Sequence, residues 1–330
     1  MKLPSWRLLL IALRVSRRLR QLARPVLAPI KLILWRPLLG ALRDSDRRAG
    51  LILLYHEVGD RDGDPRRELV PAISRVRLAR QLAHLQRHYR LVELPDLPSA
   101  VAARRRGEPF PVALTFDDDR GHHATHALPE LREAEAPATF FLCGSFLEDE
   151  PRDFWWQRLQ RAVDGGAELA PLLGSGTIHQ LGQVMEALSP EQRDAVADEL
   201  ECLTSAVPAG EVLTAQEARR LPHIGFHTLR HDTLTSLDDE RLAHALVDGR
   251  AGLAEVAGYP VDIIAYPHGT FDSRVVEAAR KSDFAMGLTC EEEAVTPDSN
   301  LLALGRYEPP AGALTGEFAL DLVRILIRSH

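Results

Sequence analysis

The chain has 330 residues, 45% hydrophobic and 26% charged, with a net charge of −7 at pH 7. This is ordinary globular composition, long enough for one large α/β domain. It argues against a low-complexity chain, and the acidic balance gives no reason to expect nucleic-acid binding. Three cysteines, Cys143, Cys202 and Cys290, are far apart with no CxxC pair; this argues against a disulfide framework or a thiolate zinc site and reads as buried thiols.

The charge is unevenly placed. Residues 1–50 hold 12 Lys or Arg and 2 Asp, a balance of +10, so the remaining 280 carry −17. Within residues 1–49 the apolar runs Leu8 to Leu13 and Val26 to Leu42 are short or broken by prolines, Lys31 and Arg36. Neither reaches the roughly 18–20 uninterrupted apolar residues of a spanning helix. Arginines mixed with apolar residues, together with Trp6 and Trp35, read as helices lying on an anionic membrane surface. A basic tail packed on a partner and a cleaved signal are the alternatives. The arginine excess points to the cytoplasmic face, with the opposite side left open.

From Gly50 on, strand and helix patterns alternate. The runs "LILLYHEV" (51–58), "RLVEL" (90–94), "PVALTF" (111–116), "ATFFLCG" (138–144), "HIGFH" (223–227), "VDIIAYPHG" (261–269), "FAMGLTC" (284–290) and "LLALGRYE" (301–308) have strand length and composition. Between them, residues 74–89 place Val76, Leu78, Leu82, Leu85 and Tyr89 near helical spacing behind a Ser74 cap. Residues 126–136, 237–258 and 272–283 also read as helices; the second is capped from Ser236 and stopped by Gly258. Repeated strand–helix units predict a parallel sheet within one domain over 50–330. Residues 150–215 interrupt the rhythm as a helical insertion, whose Phe154, Trp155 and Trp156 are packing residues or substrate contacts.

The residues that carry chemistry all fall at predicted strand C-terminal ends, where α/β sites are built. "TFDDD" places three carboxylates after one strand. "FHTLRH" places His227 and His231 four apart, and "YPHG" follows a third strand. An imidazole pair with a carboxylate suits Zn²⁺ with an open position. The HxxxH spacing alone is weak: His84–His88 repeats it on an arginine-rich helix and reads as surface. The adjacent aspartates strengthen it, because one can hold a cation while its neighbour serves as a base. His122, His123 and His126 read as loop and helix surface.

Taken in order, "LTFDDD", "HTLRH" and "AYPHGTFD" resemble the polysaccharide deacetylase family, also called the NodB homology domain or carbohydrate esterase family four. The flanking "LILLYHEV", "ALPELREAEAPATFFL" and "LTAQEARRLPHIGFHT" extend the resemblance over roughly residues 50–310. It implies a distorted (β/α) barrel of the seven-strand type and removal of N- or O-acetyl groups from a sugar; joined to the basic apolar N-terminus, it points to a cell-envelope polysaccharide or a lipid-linked glycan as substrate. It implies a divalent metal, Zn²⁺ first and Co²⁺ or Mn²⁺ as alternatives. By position, Asp117 is the catalytic base; Asp118, His227 and His231 hold the metal; and the backbone N–H of His268 helps bind the oxyanion. Three departures stand out. Asp119 occupies a glycine position. Ala265 stands where an arginine orients the base, with Arg306 as its candidate replacement. No C-terminal Leu-x-His motif supplies the acid; His268 and His56 are candidates, whereas His330 ends an apparent terminal helix. A silent sugar-binding protein of the same fold and a deformylase or other deacylase are the competing readings.

Overall fold

The computed structural model describes residues 24–147, 154–204 and 211–328. The strands are β1 (Leu51–Tyr55), β2 (Val58–Gly59), β3 (Ile73–Ser74), β4 (Arg90–Leu91), β5 (Pro111–Asp117), β6 (Thr139–Leu142), β7 (Ile224–Phe226), β8 (Ile263–Ala265) and β9 (Met286–Leu288). Seven of them form one all-parallel sheet in the order β1-β5-β6-β7-β8-β9, with β4 beside the start of β5; β2 and β3 pair separately. Every residue of β1, β5, β6, β7, β8 and β9 is buried. That is why these strands read as continuous apolar runs rather than alternating ones. The predicted strand over 301–308 is instead a segment of isolated bridges. Leu304 joins Leu288 of β9, and Tyr307 joins Leu53 of β1. It therefore spans the two edge strands of a curled sheet, giving the expected distorted (β/α) barrel.

The helices are α1 (Arg24–Arg43), α2 (Arg75–His88), α3 (Leu97–Ala103), α4 (Leu128–Glu133), α5 (Trp155–Asp164), α6 (Ala170–Leu173), α7 (Ile178–Glu186), α8 (Pro190–Cys202), α9 (Ala215–Ala218), α10 (Asp239–Val247), α11 (Arg250–Ala257), α12 (Ser273–Lys281) and α13 (Thr315–Arg328). Ser74 caps α2 by accepting from the N–H of Arg77, as the sequence predicts. Its buried stripe is Leu78, Leu82 and Leu85; Val76, expected inward, is 58% exposed. The single helix expected over 237–258 is two. The break falls at Gly249, whose φ is +78° and where a Cβ would stand 2.5 Å from Gly144 Cα. Close backbone approach at a left-handed position admits only glycine, and Asp238 rather than Ser236 caps the first piece.

Two helical groups lie outside the barrel. Helices α5 to α8 form the predicted insertion, with a core of their own built on Trp155, Trp156, Leu159, Leu181, Met185 and Leu200. Helix α1 packs along α13, with Trp35 and Leu39 buried. Trp35 meets the rings of His84 and His88 edge-on. So Trp35 is packed in the body and not presented to a headgroup layer, and His84, expected on the surface, is buried against it. Trp6 and the first basic run lie outside the described residues. Among the described residues no helix is long and apolar enough to cross a membrane.

Candidate metal centre

Asp117 ends β5 on the same face as Ala113 and Thr115, and in a regular strand Asp118 would point the other way. Instead Asp118 turns to φ +76°, which brings both carboxylates into one pocket. Such a conformation costs a non-glycine residue about 1–3 kcal/mol and persists only where surroundings enforce it. His123 supplies that enforcement. It is fully buried, and its Nε2 sits 2.9 Å from the carbonyl of Asp117 and 3.0 Å from that of Asp118, donating to both. In sequence His123 reads as loop and helix surface; its burial in the turn beneath β5 is a tertiary effect that no local pattern carries.

The three aspartates have separate partners. Asp117 receives a bidentate pair from Arg306, Nη1 at 2.7 Å and Nη2 at 2.8 Å. Arg306 is 1% exposed and also donates from Nε to the carbonyl of Thr289 at 2.9 Å. Burial alone would raise the Asp117 pKa, but the arginine beside it wins and holds it down to about 2. Asp118 Oδ1 is buried without a hydrogen-bond partner. Asp119 accepts the Cys143 N–H at 2.8 Å, tying the end of β5 to the end of β6. Burial, reinforced by Asp118, lifts its pKa to about 7.

His227 leaves β7 with Nδ1 donating to the carbonyl of Ala265 at 2.9 Å, which turns Nε2 toward the aspartates. His231 follows a tight loop in which Thr228 and His231 itself take positive φ, and its N–H bonds Thr228 Oγ1 at 3.1 Å. The Nε2 atoms of His227 and His231 each lie 3.5 Å from Asp118 Oδ1. That is too long for hydrogen bonds, while two ligand atoms bound tetrahedrally at about 2.0–2.1 Å stand roughly 3.3 Å apart. One carboxylate oxygen and two imidazole nitrogens, all buried and within 4.8 Å of one another, are a donor set that fits a zinc-sized cation.

A cavity of about 340 Å³ opens over this centre, lined by Asp117, Asp118, His227, His231, His268 and His56 among others. His268 sits in the turn after β8 with φ +56°, its ring 4.7 Å from that of His231. His56, just past β1, has Nδ1 2.8 Å from Glu308 Oε1. Burial lowers the His56 pKa, but Glu308 and the two aspartates outweigh it and raise it to about 9. Arg306 lies behind Asp117, and His330 is outside the described residues. Glu308 was not singled out from sequence; its place two residues after Arg306 was the signal available. Trp156 covers the ring of His231 at 4.6 Å, and Arg193 of α8 binds Asp232, next to His231, at 2.9 Å. The insertion thus packs directly on the candidate ligands. Cys290, expected buried, is exposed at this cavity, and Cys202 is exposed on α8; only Cys143 is buried.

The family model described as polysaccharide deacetylase matches residues 104–171 and 200–287. A 104-residue stretch is 26% identical to YxkH of Bacillus subtilis (strain 168), which carries the polysaccharide deacetylase name provisionally; it spans 30% of this chain and 37% of that relative. Among solved structures, deacetylase PplD of Streptococcus pyogenes, in complex with acetate, superposes with a TM-score of 0.58 at 15% identity, over 84% of this chain and 98% of its own. The de-N-acetylase from Aggregatibacter actinomycetemcomitans gives 0.57 at 15%, over 83% and 99%. IcaB from Ammonifex degensii gives 0.55 at 19%, over 85% and 98%. At these identities the likeness is one of fold.

Proposed function

Because the chain belongs to the polysaccharide deacetylase family, we propose that it is a metal-dependent hydrolase that removes the acetyl group from an acetamido sugar of a cell-envelope or lipid-linked glycan. The observation that carries this is the meeting of Asp118, His227 and His231 beside an Asp117 held by a buried arginine. A divalent ion held by Asp118, His227 and His231, zinc by its donor set, would supply Lewis-acid polarisation of the acyl carbonyl and lower the pKa of the attacking water. Asp117 then takes the water's proton, and Arg306 keeps that carboxylate ionised and aimed. The backbone N–H of His268 serves the oxyanion. His56, kept protonated by Glu308, gives its proton to the leaving nitrogen. Water and the amide bond are consumed; acetate and a free amine result. The basic N-terminal segment supports a position at an anionic membrane surface, on the cytoplasmic face by its arginine excess.

Asp117→Asn and His231→Ala test these roles through acetate release with added zinc. Each is expected to lose about 100-fold or more of kcat. Unchanged turnover in either variant removes the role assigned to that residue.

A further inference from the structure

The two imidazoles of the candidate centre are held in different ways. His227 has its second ring nitrogen occupied: Nδ1 donates to the carbonyl of Ala265 at 2.9 Å, and that bond fixes the direction of Nε2. The second ring nitrogen of His231, Nδ1, is buried and has no hydrogen-bond partner among the described residues. The backbone of His231 stands at φ +58° on a loop whose Thr228 is at φ +67°. Neither a regular element nor a hydrogen bond from Nδ1 sets the direction of this ring.

The insertion brings two aromatic rings to it. Trp156 lies 4.6 Å from the His231 ring at 58°, and Phe154 lies 5.4 Å away at 60°. Both are in the tilted, edge-to-face range that ring pairs prefer. Phe154 and Trp156 are stacked on each other at 4.3 Å and 6°, so the three rings meet pairwise. The pair is built into the start of α5. There the Phe154 N–H donates to Gln157 Oε1 at 3.0 Å, and the Phe154 carbonyl accepts the Gln157 N–H at 3.0 Å.

A second grip acts one residue along. Arg193 of α8 is buried and donates from Nη2 to Asp232 Oδ1 at 2.9 Å. Helices α5 and α8 are themselves clamped together. Arg158 of α5, also buried, places Nη1 2.8 Å from Asp198 and 3.1 Å from Glu201 of α8. Leu159 and Leu200 share the insertion's apolar core. The loop that carries His231 is thus held at two successive residues by one braced pair of helices.

Resting on the metal-dependent reading above, we propose that the helical insertion is the orienting element of the metal centre. Phe154 and Trp156 do for the His231 ring what the Ala265 carbonyl does for His227, and Arg193 fixes the loop beneath it. All three are positioning residues that act on the cation through His231.

The test is the zinc affinity of the full chain, read by competition with a chromogenic chelator and set beside the thermal midpoint of each metal-free form. Loss of an orienting partner typically weakens metal binding 10–100-fold, so Trp156→Ala and Arg193→Gln are each expected to raise the zinc Kd by about 10-fold or more. Trp156→Phe keeps a ring against His231 and is expected to restore the Kd to within about 3-fold of the unaltered chain. Should Trp156→Ala fail to fold, Phe154→Leu, which keeps an apolar side chain at the start of α5, takes its place with the same expectation. A Kd that stays within about 3-fold in every variant whose metal-free midpoint is retained overturns the orienting role and leaves the metal centre standing. Absence of zinc binding by the unaltered chain contradicts the metal-dependent reading, and this proposal with it.

Discussion

Three adjacent aspartates would repel one another if they shared an environment, and each has its own. Asp117 is neutralised by Arg306, Asp118 faces two imidazoles, and Asp119 accepts a backbone N–H and shifts toward neutrality. The residue that departs from the family's glycine is therefore a strap between β5 and β6. The same scale holds the proposed acid. His56 is charged because Glu308 opposes the effect of burial. A group that must deliver a proton works only while protonated, so turnover is expected to fall as pH rises through about 9. Glu308→Gln removes the main charge favouring the imidazolium, leaves burial unopposed by that charge, and moves this basic limb toward neutral pH. A pH–rate profile for kcat checks it; a basic limb that stays in place assigns the proton to another group.

The elements that position the site were largely legible because their signals are local. Apolar runs of strand length mark β1, β5, β6 and β8, and the charged or imidazole residues that follow them mark the end of the sheet where the site forms. Arg306 was legible from its place late in the chain, near a predicted strand end, although that segment bridges β9 and β1 without forming a regular strand. What escaped depends on contacts between distant segments. His84 is buried by Trp35, His123 by the turn beneath β5, and the helix break at Gly249 by its approach to Gly144. The break makes a prediction of its own. Gly249→Ala places a Cβ at φ +78° against the Gly144 backbone and is expected to destabilise the fold by at least about 1 kcal/mol. Chemical denaturation checks this; an unchanged midpoint would mean that α10 and α11 tolerate a different junction.

At the scale of the whole molecule, an acidic barrel carries a basic N-terminal segment whose last turns are part of the body. Trp35 and Leu39 anchor α1 on α13, so the proposed membrane contact is assigned to the part before α1. Removing residues 1–23 is expected to leave the thermal midpoint and acetate release unchanged while abolishing co-sedimentation with vesicles containing phosphatidylserine; full-length binding should weaken with salt. Equal sedimentation of both forms would place the contact elsewhere. The proposed function rests on a cation held where β5 and β7 end, and zinc titration of the chelator-treated full chain, followed by acetate release from N-acetylglucosamine oligomers, tests that claim most directly. Activity is predicted to be absent without metal and to rise to a plateau at one zinc per chain; acetate release that is the same before and after metal removal would contradict it.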